Sequence, residues 1–248
     1  WELDLDALSG AVSGNTRLIA LVNPNNPTGR ILTGEEIDAI VSAASQVGAW
    51  IVADEVYAGT ERLGNEPTPS LWGRYDRVVA INSMSKAYGL PGLRLGWLVA
   101  PHGEINAIWR RHEYATISAT MLSNELAKLA LSPEVRPRIV ERSRRLIRRG
   151  FDTLAESLGR RPELFSVVAP QASAMSFVRF HLPVDSATLA RRLLDDFGVL
   201  VIPGWCFGEE HHFRFSSALP DDYLREGLSC LHQLADDLLS SSHRSDAT

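Results

Sequence analysis

The stretch that decides the fold is Val78-Val79-Ala80-Ile81-Asn82-Ser83-Met84-Ser85-Lys86-Ala87-Tyr88-Gly89-Leu90-Pro91-Gly92-Leu93-Arg94. Four apolar residues, three of them β-branched, read as a short buried strand. It runs directly into hydroxyls, a lysine and glycines, a composition that belongs to a loop. The same grammar occurs twice upstream. Residues 17–22 are a strand that opens into Asn23-Pro24-Asn25-Asn26-Pro27-Thr28-Gly29, and residues 50–53 are a strand that ends at Asp54-Glu55. Between these two strands, Thr33 and Glu36 stand at capping-box spacing before a helix that Gly48 closes. A fourth strand is expected at 95–100. Strands alternating with helices predict βαβ units and a mostly parallel sheet flanked by helices, an α/β architecture that binds ligands beyond the strand ends.

Downstream the texture changes. Residues 133–158 read as one long Arg-rich helix. Arg142, Arg144, Arg145, Arg148 and Arg149 are expected on its solvated face, with Val135, Ile139, Leu146, Ile147 and Leu154 facing inward. Strands at 176–182, 199–202 and 213–216, with helices at 186–197 and 220–240, then predict an α+β domain. The expected organisation is residues 1–132, a linking helix at 133–158, and a small C-terminal domain at 159–248 with a frayed polar tail at 240–248.

Composition sets the outer limits. The chain has 248 residues, 45% of them hydrophobic, enough for a sizeable core. Twenty-five Lys and Arg stand against 30 Asp and Glu, for a net charge of -5, which argues against general nucleic-acid binding. No apolar run approaches the ~18 residues of a membrane span. Two cysteines, Cys206 and Cys230, make no disulfide framework, so a reducing, cytoplasmic setting is expected. His211-His212 lacks companion ligands at metal-binding spacing, so no metal is expected.

Only Lys86 and Lys128 are lysines, so amine chemistry has two candidates. Lys128 lies in a helical run and is expected at the surface. Lys86 sits beside Ser83, Ser85 and Arg94, groups suited to a dianionic phosphate. No Walker A pattern and no G-x-G-x-x-G is present, which favours an amine that forms a Schiff base with a phosphorylated cofactor. Asp54, a carboxylate at the end of an apolar strand, suits a protonated pyridine nitrogen, and the Tyr57 hydroxyl suits a phenolate oxygen. Asn26 supplies an amide at a third strand end.

In order along the chain, Asn25-Asn26-Pro27-Thr28-Gly29, Asp54-Glu55-Val56-Tyr57 and Ser83-x-Ser85-Lys86 with Arg94 resemble the class I/II aminotransferases, pyridoxal-phosphate (PLP) enzymes of fold type I. Weaker matches follow at residues 203–208 and 213–218. The resemblance implies a PLP-binding large domain, incomplete here, and a C-terminal α+β domain. It implies that Lys86 carries the cofactor as a Schiff base and shuttles the α-proton, and that Asp54 pairs with the pyridine nitrogen. By the same resemblance Asn26 and Tyr57 bond the 3′ oxygen, Ser83, Ser85 and Arg94 hold the phosphate, and Arg214 forks onto the substrate carboxylate.

The implied reaction moves an amino group between an amino acid and a 2-oxo acid in a homodimer. Lyase, cyclase or oxidase chemistry on an amino acid is the alternative within the same cofactor. A truncated, partner-dependent chain is the other, because family members carry roughly a further N-terminal third before the point where Trp1 stands. Residues 170–175, Pro-Gln-Ala-Ser-Ala-Met, depart from a segment that is often glycine-rich in the family, which implies a reshaped substrate pocket.

Overall fold

A computed structural model describes the backbone of residues 1–245 and the side chains through residue 240. The chain divides into two compact units, Trp1–Asn26 with Arg30–Arg144, and Pro27–Gly29 with Arg145 onward.

The first unit opens with α1 (Leu5–Ala11), where the Asp4 side chain accepts from the Ala7 N–H. The sequence predicts no helix there. Its sheet comprises β1 (Leu18–Val22), β2 (Trp50–Asp54), β3 (Val78–Ser83) and β4 (Gly96–Val99), in that order. The first three strands are parallel, in register from Leu18 opposite Trp50 to Asp54 opposite Ile81, and β4 runs antiparallel to β3. All three parallel strands therefore end at one edge, where the polar clusters predicted from sequence gather.

Helix α2 (Gly34–Val47) crosses from β1 to β2 with the predicted signals at both ends. Thr33 Oγ accepts from the Glu36 N–H, Glu36 returns a bond to the Thr33 N–H, and Gly48 adopts the left-handed conformation that stops the helix. Its face of Ile37, Ile40 and Ala44 packs with Ile51, Ala53, Leu71 and Val78 in one core. A second, smaller core gathers Met84, Ala87 and Tyr88 with Ala127 and Ala130 of α4 (Met121–Ala130). Helix α3 (His102–Ala115) was not expected, and none of its residues is buried.

Helix α5 spans Arg136–Leu158, and the division between the units falls within it. One expectation fails on it. Arg144 is not on a solvated face but buried, paired at 2.5 Å with buried Glu61. Its guanidinium also donates to the Gly59 carbonyl at 3.2 Å and to the Asn65 carbonyl. That many fixed acceptors is what makes burying an arginine tolerable.

The second unit holds an antiparallel sheet, β5 (Phe165–Val167), β6 (Met175–Phe180), β8 (His212–Ser216) and β7 (Ile202–Pro203), in that spatial order. β5, three residues long, had no sequence signal. α6 (Ser186–Phe197) matches its predicted span, and α7 runs Asp221–Ser245. Most of the tail expected to fray is therefore helical, and residues 246–248 lie outside the described residues. Phe180, Phe213, Leu189, Leu193, Leu224, Leu228, Leu231 and Leu234, each almost fully buried, join one continuous core.

Candidate active site

The site builds from the ends of β1, β2 and β3. Asp54 closes β2 half-buried, and its Oδ1 accepts from the Val56 N–H at 3.1 Å, which orients the carboxylate at the strand end. Three residues on, Tyr57 is buried, and the Lys86 Nζ stands 5.7 Å from its ring centroid, at cation–π distance. Lys86 is exposed and its carbonyl accepts from the Gly89 N–H, so the chain turns back just after it. The lysine, the tyrosine and the strand-end carboxylate thus come from neighbouring strands of one sheet.

The phosphate candidates follow the same frame. Ser83 ends β3, and its Oγ accepts from the Ser85 N–H at 3.2 Å, so the two serines share one tight turn. The Met84 N–H donates to the Leu95 carbonyl at 3.0 Å and draws the Arg94 segment alongside this turn. Arg94 is exposed, with φ 51°, a left-handed conformation that costs a non-glycine residue on the order of 1 kcal/mol. Gly96 faces Ser83 across the β3–β4 pair. A Cβ there would meet the Asn82 carbonyl at 2.9 Å, so this approach requires glycine.

Sequence reasoning missed several groups that hold this frame. Glu55 is the first of them. It is buried, and its Oε1 accepts from the Ser70 hydroxyl at 3.0 Å and the Leu71 N–H at 2.8 Å. Burial raises its pKa, the two hydrogen bonds pull it down less, and neighbouring Asp54 adds to the rise. Glu61 shows the opposite balance. Burial pushes it up, but hydrogen bonds from Gly59, Thr68 and Arg144 outweigh that and hold it below the usual carboxylate range. The Glu61–Arg144 pair thereby pins the loop that carries Tyr57, whose carbonyl accepts from the Thr60 hydroxyl.

Asn26 is half-buried at the end of the first unit's opening segment. Before it, the Asn23 N–H donates to the Asp54 carbonyl at 3.0 Å and ties the loop to β2. The tip Pro27–Gly29 belongs to the second unit, where the Gly29 carbonyl accepts from the Gln171 and Ala172 N–H groups. Gly29 has φ 67°, and a Cβ on it would meet the Ala172 carbonyl at 2.4 Å, so no other residue fits there. Gln171 and Ala172 are therefore backbone-bonded to Gly29 within the second unit.

Arg214 also lies in the second unit, on β8. Flanking Phe213 and Phe215 enter the core, so strand alternation puts Arg214 on the other face, its guanidinium 5.3 Å from the Phe207 ring centroid. Cys206 and Cys230 are free thiols, and Lys128 is exposed 3.8 Å from Glu125. Among the described residues, no group of three His, Cys, Asp or Glu side chains is placed to hold a metal, and no helix is long and apolar enough to cross a membrane.

The donor set suits pyridoxal phosphate. A carboxylate, a lysine amine with a tyrosine beside it, and two serines with an arginine nearby in sequence are group types that its pyridine nitrogen, aldehyde and phosphate require, although the Arg94 guanidinium here donates to the Pro91 carbonyl at 2.9 Å.

Comparison with known proteins agrees. The family model for aminotransferase class I and II matches residues 1–231. An aspartate aminotransferase of Streptomyces avermitilis is 29% identical over 247 residues, 94% of this chain and 60% of that protein. Capreomycidine synthase of Streptomyces vinaceus is 32% identical over 236 residues, 93% of this chain and 58% of that protein. The crystal structure of a PLP-dependent aminotransferase from Streptococcus suis superimposes with a TM-score of 0.87 at 32% identity, over 96% of this chain and 62% of that one. The chain therefore spans about 60% of the length of these relatives. By the family match over nearly its whole length and by its fold, the chain belongs to the class I and II aminotransferases, enzymes of PLP fold type I.

Proposed function

We propose that the protein to which this chain belongs is a PLP-dependent aminotransferase acting on an amino acid and a 2-oxo acid. The observation that carries this reading is the meeting of Lys86 with Tyr57 beyond the strand ends, on the same sheet as Asp54. When bound, the cofactor supplies an electron sink that acidifies the substrate Cα–H bond.

The chain's own residues do the rest. Lys86 holds the cofactor through its Nζ and then moves the proton at the substrate α-carbon, a task for a freed amine within reach. Asp54 keeps the pyridine nitrogen protonated, an arrangement that strengthens as water is excluded from the strand end. Tyr57 and Asn26 bond the 3′ oxygen. Ser83, Ser85 and Arg94 hold the phosphate as an anchor that does not react. Arg214 takes the substrate carboxylate in a two-point grip that lysine could not make.

Residues 133–158 serve as the link between a cofactor-binding large domain (1–132) and a small domain (159–248). The full-length form is a cytoplasmic homodimer in this reading. Tyr114 and Met121, 96% and 79% exposed, and their apolar neighbours Ile117 and Leu122 support an interface there.

One relative bears the name of a synthase rather than an aminotransferase, which keeps the lyase, cyclase or oxidase reading as the second choice. The experiment is a PLP titration of the 248-residue chain, followed by visible absorbance, with Lys86→Ala as control. The longer protein is then assayed with amino acids. A saturable band lost in the control, with a 2-oxo acid and an aminated acceptor as products, supports transamination. Product without an acceptor requirement supports the second reading. A folded chain without a band supports a partner-dependent fragment.

A further inference from the structure

Asn82 is the last residue before the serine–lysine turn, and both ends of its side-chain amide are used. Nδ2 donates to the Glu55 carbonyl at 3.1 Å, and Oδ1 accepts from the Ser83 N–H at 2.7 Å. Only one orientation of the amide satisfies both partners, since one is a pure acceptor and the other a pure donor. The two partners belong to different functional segments. Glu55 follows Asp54 at the end of β2, and its own N–H donates to the Ile81 carbonyl at 2.8 Å. Ser83 leads the turn to Ser85 and Lys86, with its Oγ on the Ser85 N–H. Asn82 therefore stands at the middle of a bonded path from the Asp54–Glu55 strand end to the Ser83–Ser85 turn.

The surroundings reinforce the bridge. Glu55 is fixed from its other end by Ser70 and Leu71, so the carbonyl that Asn82 reaches is not on a mobile strand end. Gly96 lets β4 pass against the Asn82 carbonyl, a distance that any side chain would widen. No other residue type of this size offers both a donor and an acceptor in one rigid plane. Aspartate keeps the acceptor for Ser83 but sets an anion against the Glu55 carbonyl, and alanine loses both bonds.

We propose that Asn82 is a positioning residue that fixes the spacing between the Asp54 carboxylate and the Ser83–Lys86 turn. The inference rests on the PLP reading above for what those two segments do, but the bridge is measurable without cofactor.

The test compares the wild-type chain with Asn82→Ala and Asn82→Asp. Amide hydrogen exchange, read at Ser83 without PLP, should accelerate about tenfold in Asn82→Ala, the scale of one lost hydrogen bond, and stay near wild type in Asn82→Asp. With PLP added, both variants should bind about tenfold more weakly, and the pH midpoint of the cofactor's absorbance should move because Asp54 is no longer held in place. Unaltered Ser83 exchange in Asn82→Ala would overturn the bridge. Unaltered affinity and pH midpoint in both variants would overturn the positioning role. A folded wild-type chain without any cofactor band would point to the partner-dependent fragment, the affinity comparison would then be made in the longer protein, and Ser83 exchange would still decide the bridge.

Discussion

The two units are held together by different means. The second folds around one continuous apolar core, from Leu154 on α5 through the sheet to α7, and ion pairs such as Arg192–Asp196 and Arg161–Asp236 lie at its surface. The first, which carries the candidate cofactor residues, divides its apolar material between two smaller cores. Its strand ends and loops are pinned by buried polar contacts: Glu61 with Arg144, Glu55 with Ser70 and Leu71, and Glu36 with Arg30, Thr33 and Leu3. Apolar packing is non-directional and gives cohesion. Hydrogen-bonded networks of low dielectric fix where a particular carbonyl or carboxylate sits, which is what a reactive site requires.

The largest expected effect lies in the second unit. Phe213→Ala removes a fully buried ring and should cost ~4 kcal/mol, measured by urea denaturation. A loss below ~1 kcal/mol would mean that the core closes around the gap and that the contrast with the first unit is overdrawn.

Next comes the buried pair. Arg144→Met strands Glu61 and should cost ~3 kcal/mol, whereas Arg144→Met with Glu61→Leu should recover much of that loss. Acid should mimic the single variant. Glu61 and Glu36, the latter held down to about 2 chiefly by its hydrogen bond from Arg30, have lowered folded-state values. Their contribution is present above the ordinary carboxylate pKa and is lost as pH falls through the lowered ones. Segment-resolved hydrogen exchange in acid should therefore loosen the first unit before the second.

Smaller still, Thr33→Ala removes half of the capping box and should cost ~1 kcal/mol, read as a lower thermal midpoint. The smallest effect is expected at Glu55. Its raised value means that its contribution is present below the ordinary carboxylate pKa and fades as pH rises through the raised one. Glu55→Gln should leave stability in acid almost unaltered and raise it by less than ~1 kcal/mol at neutral pH.

Much of this organisation is legible in the sequence, and the limits have physical reasons. The parallel strands and α2 announce themselves by apolar runs, a capping box and a glycine stop, all local signals. The predicted residues Asp54, Tyr57, Ser83, Ser85 and Lys86 fall within or just beyond β2 and β3. α3 escaped because its first turn has no side-chain cap and it buries no face, and β5 because three residues carry no periodicity. Arg144 looked solvated because its neighbours on α5 are arginines, while its partner Glu61 lies 83 residues away. Asn82 gave no signal either, since both of its partners are backbone groups, which every sequence contains.

The most direct test of the central claim uses the scarcity of lysine. The chain is mixed with PLP, reduced with borohydride, digested and mapped by mass spectrometry. A pyridoxyl adduct concentrated on the Lys86 peptide is the predicted result. An adduct on Lys128 or the Trp1 amine instead would contradict the assignment of the reactive amine to the end of β3.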